Sequence, residues 1–160
     1  FAKAQHVAEK HGWTRFVSMQ NHYNLLYREE EREMVPLCRD QGVGLIPWSP
    51  LARGHLARAP EAKGTKRSET DRFGKTLYLS MAEADHRVLV AVDKLAKTRN
   101  LPHAQIALAW LLRNDAVTAP IVGATKMEHL ETAVGALGCQ LSREEVTELE
   151  APYVAHPVVP

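Results

Sequence analysis

Apolar and polar positions alternate along this chain in two rhythms, one suited to helices and one to strands. Residues 2–11 (AKAQHVAEKH) are helix-forming and stop at Gly12, a residue that readily takes the left-handed conformation ending a helix. Phe16-Val-Ser-Met-Gln20 is short and predicts a strand. Residues 29–41 predict a charged helix with Met34, Val35, Leu37 and Cys38 on its apolar side, closed by Gly42. Val43-Gly-Leu-Ile-Pro-Trp48 is mostly apolar, the pattern of a strand buried on both faces. Pro47 has no N–H to donate and is expected at the strand end. Residues 82–99 and 103–113 predict two helices divided by Asn100-Leu-Pro102, and 116–122 predict a third strand. A helix follows over 128–137. Ser142, an N-cap with acidic residues in the next turn, opens a last helix running to about Glu150. The tail Pro152-Tyr-Val-Ala-His-Pro157 reads as irregular.

Residues 52–80 break the rhythm. Gly54, Pro60, Gly64, Lys66, Arg67, Ser68 and Asp71 make a polar, breaker-rich stretch expected to be one long loop, and such loops are usually functional or disordered. Strands alternating with helices predict parallel βαβ units and an α/β fold. Three strands cannot close a (β/α)8 TIM barrel, which needs eight. The expected form is an arc of such a barrel with two open sheet edges, through which copies would self-associate.

Composition narrows the reading. The chain has 160 residues, 45% hydrophobic and 24% charged, with net charge +1. No basic run with interleaved aromatics points to nucleic acid. No apolar run approaches the roughly 18 residues of a membrane span. Cys38 and Cys139 are too far apart for a metal pattern and suggest two reduced, packed thiols in a cytoplasmic protein. The other histidines, such as His6, His55 and His103, show no metal-ligand spacing. The chain opens on Phe1, in what reads as the middle of a helix. The expectation is a fragment, with processing as the alternative.

Three segments carry chemistry. They are Ser18-Met-Gln-Asn-His-Tyr-Asn24; Gly42-Val-Gly-Leu-Ile-Pro-Trp-Ser-Pro-Leu-Ala-Arg-Gly54; and Ala104-Gln-Ile-Ala-Leu-Ala-Trp-Leu-Leu112 followed by Pro120-Ile-Val-Gly-Ala-Thr-Lys126. In this order and spacing they resemble aldo-keto reductases, in particular the bacterial branch related to potassium-channel β subunits. The resemblance runs over nearly the whole chain. It implies that residues 1–160 are the carboxy-terminal part of an NADP-dependent oxidoreductase domain, supplying about strands six to eight of its barrel. It also implies NADP(H) at the carboxy ends of the strands and hydride transfer between NADPH and an aldehyde or ketone. The family's Asp, Tyr, Lys and His tetrad, and its Ser-Asn pair at the nicotinamide, come from earlier strands. No catalytic residue is therefore assigned here, and the chain alone is expected to be inactive.

Each implied cofactor residue has a plainer alternative. Gln20 would hydrogen-bond the nicotinamide carboxamide, being donor and acceptor at once; the alternative is an amide satisfied by nearby backbone. Trp48 would stack on the nicotinamide, or else cap the barrel interior. Ser49, Leu51, Arg53 and Gly54 resemble the family's pyrophosphate-contacting segment, with hydroxyl, backbone N–H and guanidinium as anion ligands. For Arg53 the alternative is a solvated loop charge. Gly123, Thr125, Lys126 and His129 lie where the family binds the adenosine 2′-phosphate, Lys126 near a helix start that favours anions. For Lys126 and His129 the alternative is an exposed helix start. Thr132-Ala133 stand where many members have Glu-Asn to grip adenine. His22, Tyr23 and Asn24 are not read as catalytic, because neighbours in an extended segment face opposite ways. The other readings kept open are a non-catalytic module that binds nucleotide or docks on a partner, and a half-barrel completed by homodimerisation.

Overall fold

In the computed structural model, which describes residues 1–62 and 70–158, three parallel extended segments lie side by side in chain order. β1 (Ser18–Met19) pairs with β2 (Gly44–Leu45) in the register Ser18↔Gly44 and Met19↔Leu45. Leu45 forms a parallel bridge to Val117 on the other side. Flanking backbone bonds extend both pairings: Ile46 N donates to Met19 O at 2.9 Å, Trp48 N to Asn21 O at 2.8 Å, and Ile121 N to Pro47 O at 2.8 Å.

The helices are α1 (Ala2–His11), α2 (Met34–Gln41), α3 (Arg72–Tyr78), α4 (Ala82–Arg99), α5 (His103–Leu112), α6 (Met127–Gly135) and α7 (Arg143–Glu150). Their ends follow local chemistry. Gly12 and Gly42 close α1 and α2 at φ 65°, and Asn100 closes α4 at φ 52°. Ser142 and Glu145 form a reciprocal capping box at α7. α5 is buried all round from Ile106 to Leu111, because α4, α6 and the turn at 52–57 pack against it. Its side chains join Leu26, Cys38, Leu45, Val88 and Leu149 in one core.

Four expectations need correction. The third strand shortens to the bridge at Val117, since Pro120 has no donor for a ladder. The helix expected over 29–41 splits into a 3-10 turn at Glu29–Glu31 and α2; Glu29 is drawn inward by partners far along the chain, and Pro36 fits only the first helical turn. The second strand is not equally buried on both faces: Val43, Leu45 and Pro47 are buried, while Gly44, Ile46 and Trp48 are half-buried. The stretch 52–80 is not one loop. It holds a 3-10 turn at Ala52–Ala57, then α3 and a 3-10 turn at Leu79–Met81. Asp71 starts α3 by accepting from Gly74 N at 2.9 Å, and Leu77 and Tyr78 anchor it in the core. Residues 63–69, and with them Gly64, Lys66, Arg67 and Ser68, lie outside the described residues.

The tail is irregular in backbone, as expected, yet firmly tied. His156 Nε2 meets Asp85 Oδ1 at 2.9 Å, and both side chains are buried. Glu29 accepts from Tyr153 Oη at 2.8 Å and from His156 N at 2.9 Å. Burial opposes the charged form of both groups, but the Asp85 contact raises the His156 pKa and the hydrogen bonds lower that of Glu29. Nearby, the Arg28 guanidinium sits over Trp110 and Tyr153 at 5.4 and 5.2 Å. Among the described residues no helix is long and apolar enough to cross a membrane.

Candidate functional site

Parallel pairing brings the carboxy ends of the three extended segments to one end of the sheet. Gln20 follows β1, Trp48 and Ser49 follow β2, and Gly123 to Lys126 follow the third segment. The sequence-predicted residues thus share one rim, although no hydrogen bond joins Gln20, Trp48–Ser49 and Gly123–Lys126 to one another among the described residues. Gln20 is exposed, and its side chain makes no hydrogen bond among the described residues.

Trp48 is held from behind. His22 pairs with it across a parallel bridge, and the two rings stack with centroids 4.2 Å apart and planes 13° apart. The imidazole stacks on Tyr27 on its other side, at 4.3 Å and 14°. A polar chain fixes its rotation. Asn24 Oδ1 accepts from Leu26 N at 2.9 Å and Tyr27 N at 3.1 Å, so Nδ2 is the end aimed at Ser49 O, 2.9 Å away. That amide therefore donates to Tyr78 Oη at 3.1 Å. Tyr78 Oη in turn donates to His22 Nε2 at 2.8 Å. This network assigns the imidazole proton to Nδ1. Burial, aided by His156, pushes the His22 pKa down to about 4, and burial lifts Tyr78 to about 12. Both are neutral near pH 7. Phe73 of α3 flanks Trp48 with centroids 6.2 Å apart.

The segment after Trp48 is a tight coil. Ser49, Ala52 and Arg53 take positive φ of 55°, 47° and 55°, and Gly54 follows at 99°. The first three are conformations that L residues seldom adopt, and they persist only where the surroundings hold them. Here internal bonds do so: Ala52 N donates to Ser49 O at 2.9 Å, Arg53 N to Ser49 Oγ at 3.2 Å, and Gly54 N to Leu51 O at 2.8 Å. These three amides are engaged within the coil. Arg53 Nε is paired with Asp71, and its guanidinium lies 5.6 Å from the Phe73 ring centre. Leu51 packs against the core, half-buried.

At the third rim position, Gly123, Thr125, Lys126 and His129 are all exposed. A Cβ built on Gly123 meets no atom within 4 Å. Lys126 is the N-cap of α6, which has nine residues, and neither Lys126 nor His129 has a side-chain partner among the described residues. Thr132 and Ala133 are half-buried on the same helix. The rim therefore offers an amide, a flat half-exposed aromatic, a guanidinium shared with a carboxylate, and an unpaired ammonium at a helix start. A nicotinamide dinucleotide needs these donor types: amide for amide, ring for ring, cations for phosphates. The residues present fit the group.

Sequence reading missed His22, Tyr78 and Phe73 as neighbours of Trp48. His22 and Tyr78 are 56 positions apart, and no local pattern links them. A neutral-polar His-Tyr-Asn cluster beside an apolar strand is the one signal the chain itself offers.

Comparison with known proteins places the chain. It is 48% identical over 159 residues to a putative aryl-alcohol dehydrogenase of Schizosaccharomyces pombe, covering 99% of this chain and 44% of that protein. An aldo-keto reductase of Fusarium vanettenii is 45% identical over 158 residues, covering 99% of this chain and 42% of that protein. Versiconal hemiacetal acetate reductase of Aspergillus parasiticus is 42% identical over 161 residues, covering 100% and 47%. The chain thus spans less than half the length of these curated relatives. The sequence model of the aldo/keto reductase family matches residues 1–153. With that match spanning nearly every element described above, the chain belongs to the aldo/keto reductase family.

Proposed function

We propose that this chain forms the nicotinamide-cofactor wall of an NADPH-dependent carbonyl reductase, as strands six to eight of its barrel. The supporting observation is the shared rim: Gln20, Trp48 and Lys126 stand at the same ends of three parallel segments. When bound, NADPH supplies the hydride. This chain's part is to hold the cofactor. Gln20 would meet the carboxamide and Trp48 would offer the nicotinamide its ring face away from His22. Ser49 and Arg53 would meet the pyrophosphate, Arg53 by exchanging its Asp71 partner for phosphate. Gly123, which lacks a Cβ, would let backbone approach, and Thr125, Lys126 and His129 would meet the 2′-phosphate. Proton donation to the carbonyl oxygen would fall to the tetrad on earlier strands. The likeness to the branch related to potassium-channel β subunits belongs to the same motif reading, while the relatives reported above are fungal. The name of the Schizosaccharomyces pombe relative puts aryl alcohols first among substrates to test.

Lys126→Ala tests the assignment. A charge-assisted contact contributes roughly 1.5–3 kcal/mol, so NADPH affinity should fall about ten- to a hundredfold while NADH affinity holds. Titration calorimetry with both cofactors measures this. Equal loss for the two, or no binding of either by the parent chain, overturns the reading. A second reading, self-association of this half of the fold, draws on the exposed Phe16, Val17, Ile121 and Val122 at its open edges.

A further inference from the structure

We propose that His22 is a positioning residue for the nicotinamide end of the cofactor: locked by Tyr78 and Asn24, its ring fixes the plane of the Trp48 indole. The inference rests on the reading that Trp48 faces the nicotinamide, and adds what holds Trp48 still.

Trp48 is half-buried and ends its segment, where backbone pairing stops, so its side chain needs another restraint. A near-parallel stack at 4.2 Å gives one, because rotating the indole about χ1 or χ2 separates two flat surfaces. The stack restrains Trp48 only if the imidazole itself cannot turn. Three observations show that it cannot. Tyr27 covers its other face at 4.3 Å. Tyr78 Oη holds its Nε2 at 2.8 Å. Asn24, fully buried, ties that hydroxyl to the coil through Ser49 O, one residue beyond Trp48. The tether and the indole it steadies therefore join at adjacent residues. The low pKa of His22 adds to this geometry, since an uncharged ring stacks on the indole with its acceptor still facing Tyr78. His22 touches neither substrate nor cofactor in this arrangement and acts through Trp48.

The experiment uses the full 160-residue chain. His22→Leu removes the flat ring, His22→Phe keeps a ring without nitrogens, and Tyr78→Phe keeps the imidazole without its tether. Each is titrated with NADPH and with 2′,5′-ADP, which carries the phosphate end and no nicotinamide. Fluorine NMR of 5-fluorotryptophan, with Trp48 assigned by its Phe variant, follows the indole directly. His22→Leu should weaken NADPH about three- to tenfold, as expected for losing one aromatic stack. It should leave 2′,5′-ADP within twofold and broaden or shift the Trp48 resonance. His22→Phe should fall between the parent and His22→Leu, because it keeps the stacking ring and loses the tether to Tyr78. Should His22→Leu fail to fold, Tyr78→Phe decides: a perturbed Trp48 resonance with selective loss of NADPH supports the proposal. Unchanged NADPH binding or an unmoved Trp48 resonance in folded His22→Leu or Tyr78→Phe overturns it. Equal losses for both ligands also overturn it, as a merely structural effect. A parent chain that binds NADPH while His22→Leu and Tyr78→Phe match it sinks this inference alone. A parent chain that does not bind NADPH fails before any variant is made, and takes the cofactor reading and this inference with it.

Discussion

His22 illustrates how one buried imidazole makes stability depend on pH. Its pKa falls from 6.5 to about 4 on folding, so the unfolded chain binds the extra proton between those values. Stability conferred by the neutral form is complete above pH 6.5 and is lost as pH falls toward 4, by on the order of 3 kcal/mol for this group. Protonation would also turn Nε2 into a donor facing a hydroxyl that already donates to it. Glu29, with a lowered pKa, adds loss in acid as pH falls below 4.5. His156 has the opposite sign: its pKa is raised above 6.5, so its contribution is present below 6.5 and fades as pH rises through the higher value. Urea midpoints measured from pH 4 to 8 should therefore fall on the acid side, and His22→Phe should flatten that fall. An equally steep acid slope in His22→Phe would show that His22 is not the group responsible. Glu29→Ala removes the acceptor of a buried hydroxyl and a buried amide; it should cost about 2–4 kcal/mol and release the tail to proteolysis.

Among the described glycines, the tightest approach is at Gly44 of β2. A Cβ there would lie 2.2 Å from Thr118 Oγ1 and 3.2 Å from Thr118 Cβ. Gly44→Ala should destabilise by roughly 1–3 kcal/mol. Thr118→Ala removes the nearer atom, so the double variant should recover most of the loss, a coupling read from a double-mutant cycle in urea. Ser142→Ala removes one half of the α7 capping box and should cost about 1 kcal/mol. The Ser142 cap and the acidic first turn were legible in the sequence; the return bond from Glu145 that completes the box came with the structure. The helices α1, α4, α5 and α7 were legible for the same kind of reason: their periodicity and their end signals are local. The lengths of the strands were not, since pairing partners decide where a ladder stops. Nor was α3. It spans seven residues, and two features make it a helix: the Asp71 cap, and Leu77 and Tyr78 reaching a core assembled from distant segments. At the site, Gln20, Trp48 and Lys126 were named from motif likeness, while the clamp of His22, Tyr78 and Phe73 emerged only once the strands were aligned.

Across the whole molecule protection is uneven. Residues 23–27, Leu45 and Ile106–Leu111 are buried, whereas every residue from 121 to 130 is exposed. Hydrogen exchange should be slowest at Leu45 and through Ile106–Leu111, and fastest over 121–130. Phe16 and Val17 are 56% and 77% exposed beside an unpaired edge of β1. Sedimentation of the isolated chain should show an apparent mass that rises with concentration, and Val17→Lys should reduce the rise by placing a charge on that edge. A mass independent of concentration would count against an adhesive edge.

The Asp85–His156 pair sets an order of events during synthesis. The two residues are 71 positions apart, so at roughly 5–20 residues per second a ribosome needs several seconds to add the second after the first. During that interval α4 carries a carboxylate whose buried partner has not yet been made, and Glu29 waits for Tyr153 and the His156 amide. Closure of this part of the core therefore waits on residues 153–156, which act as its latch.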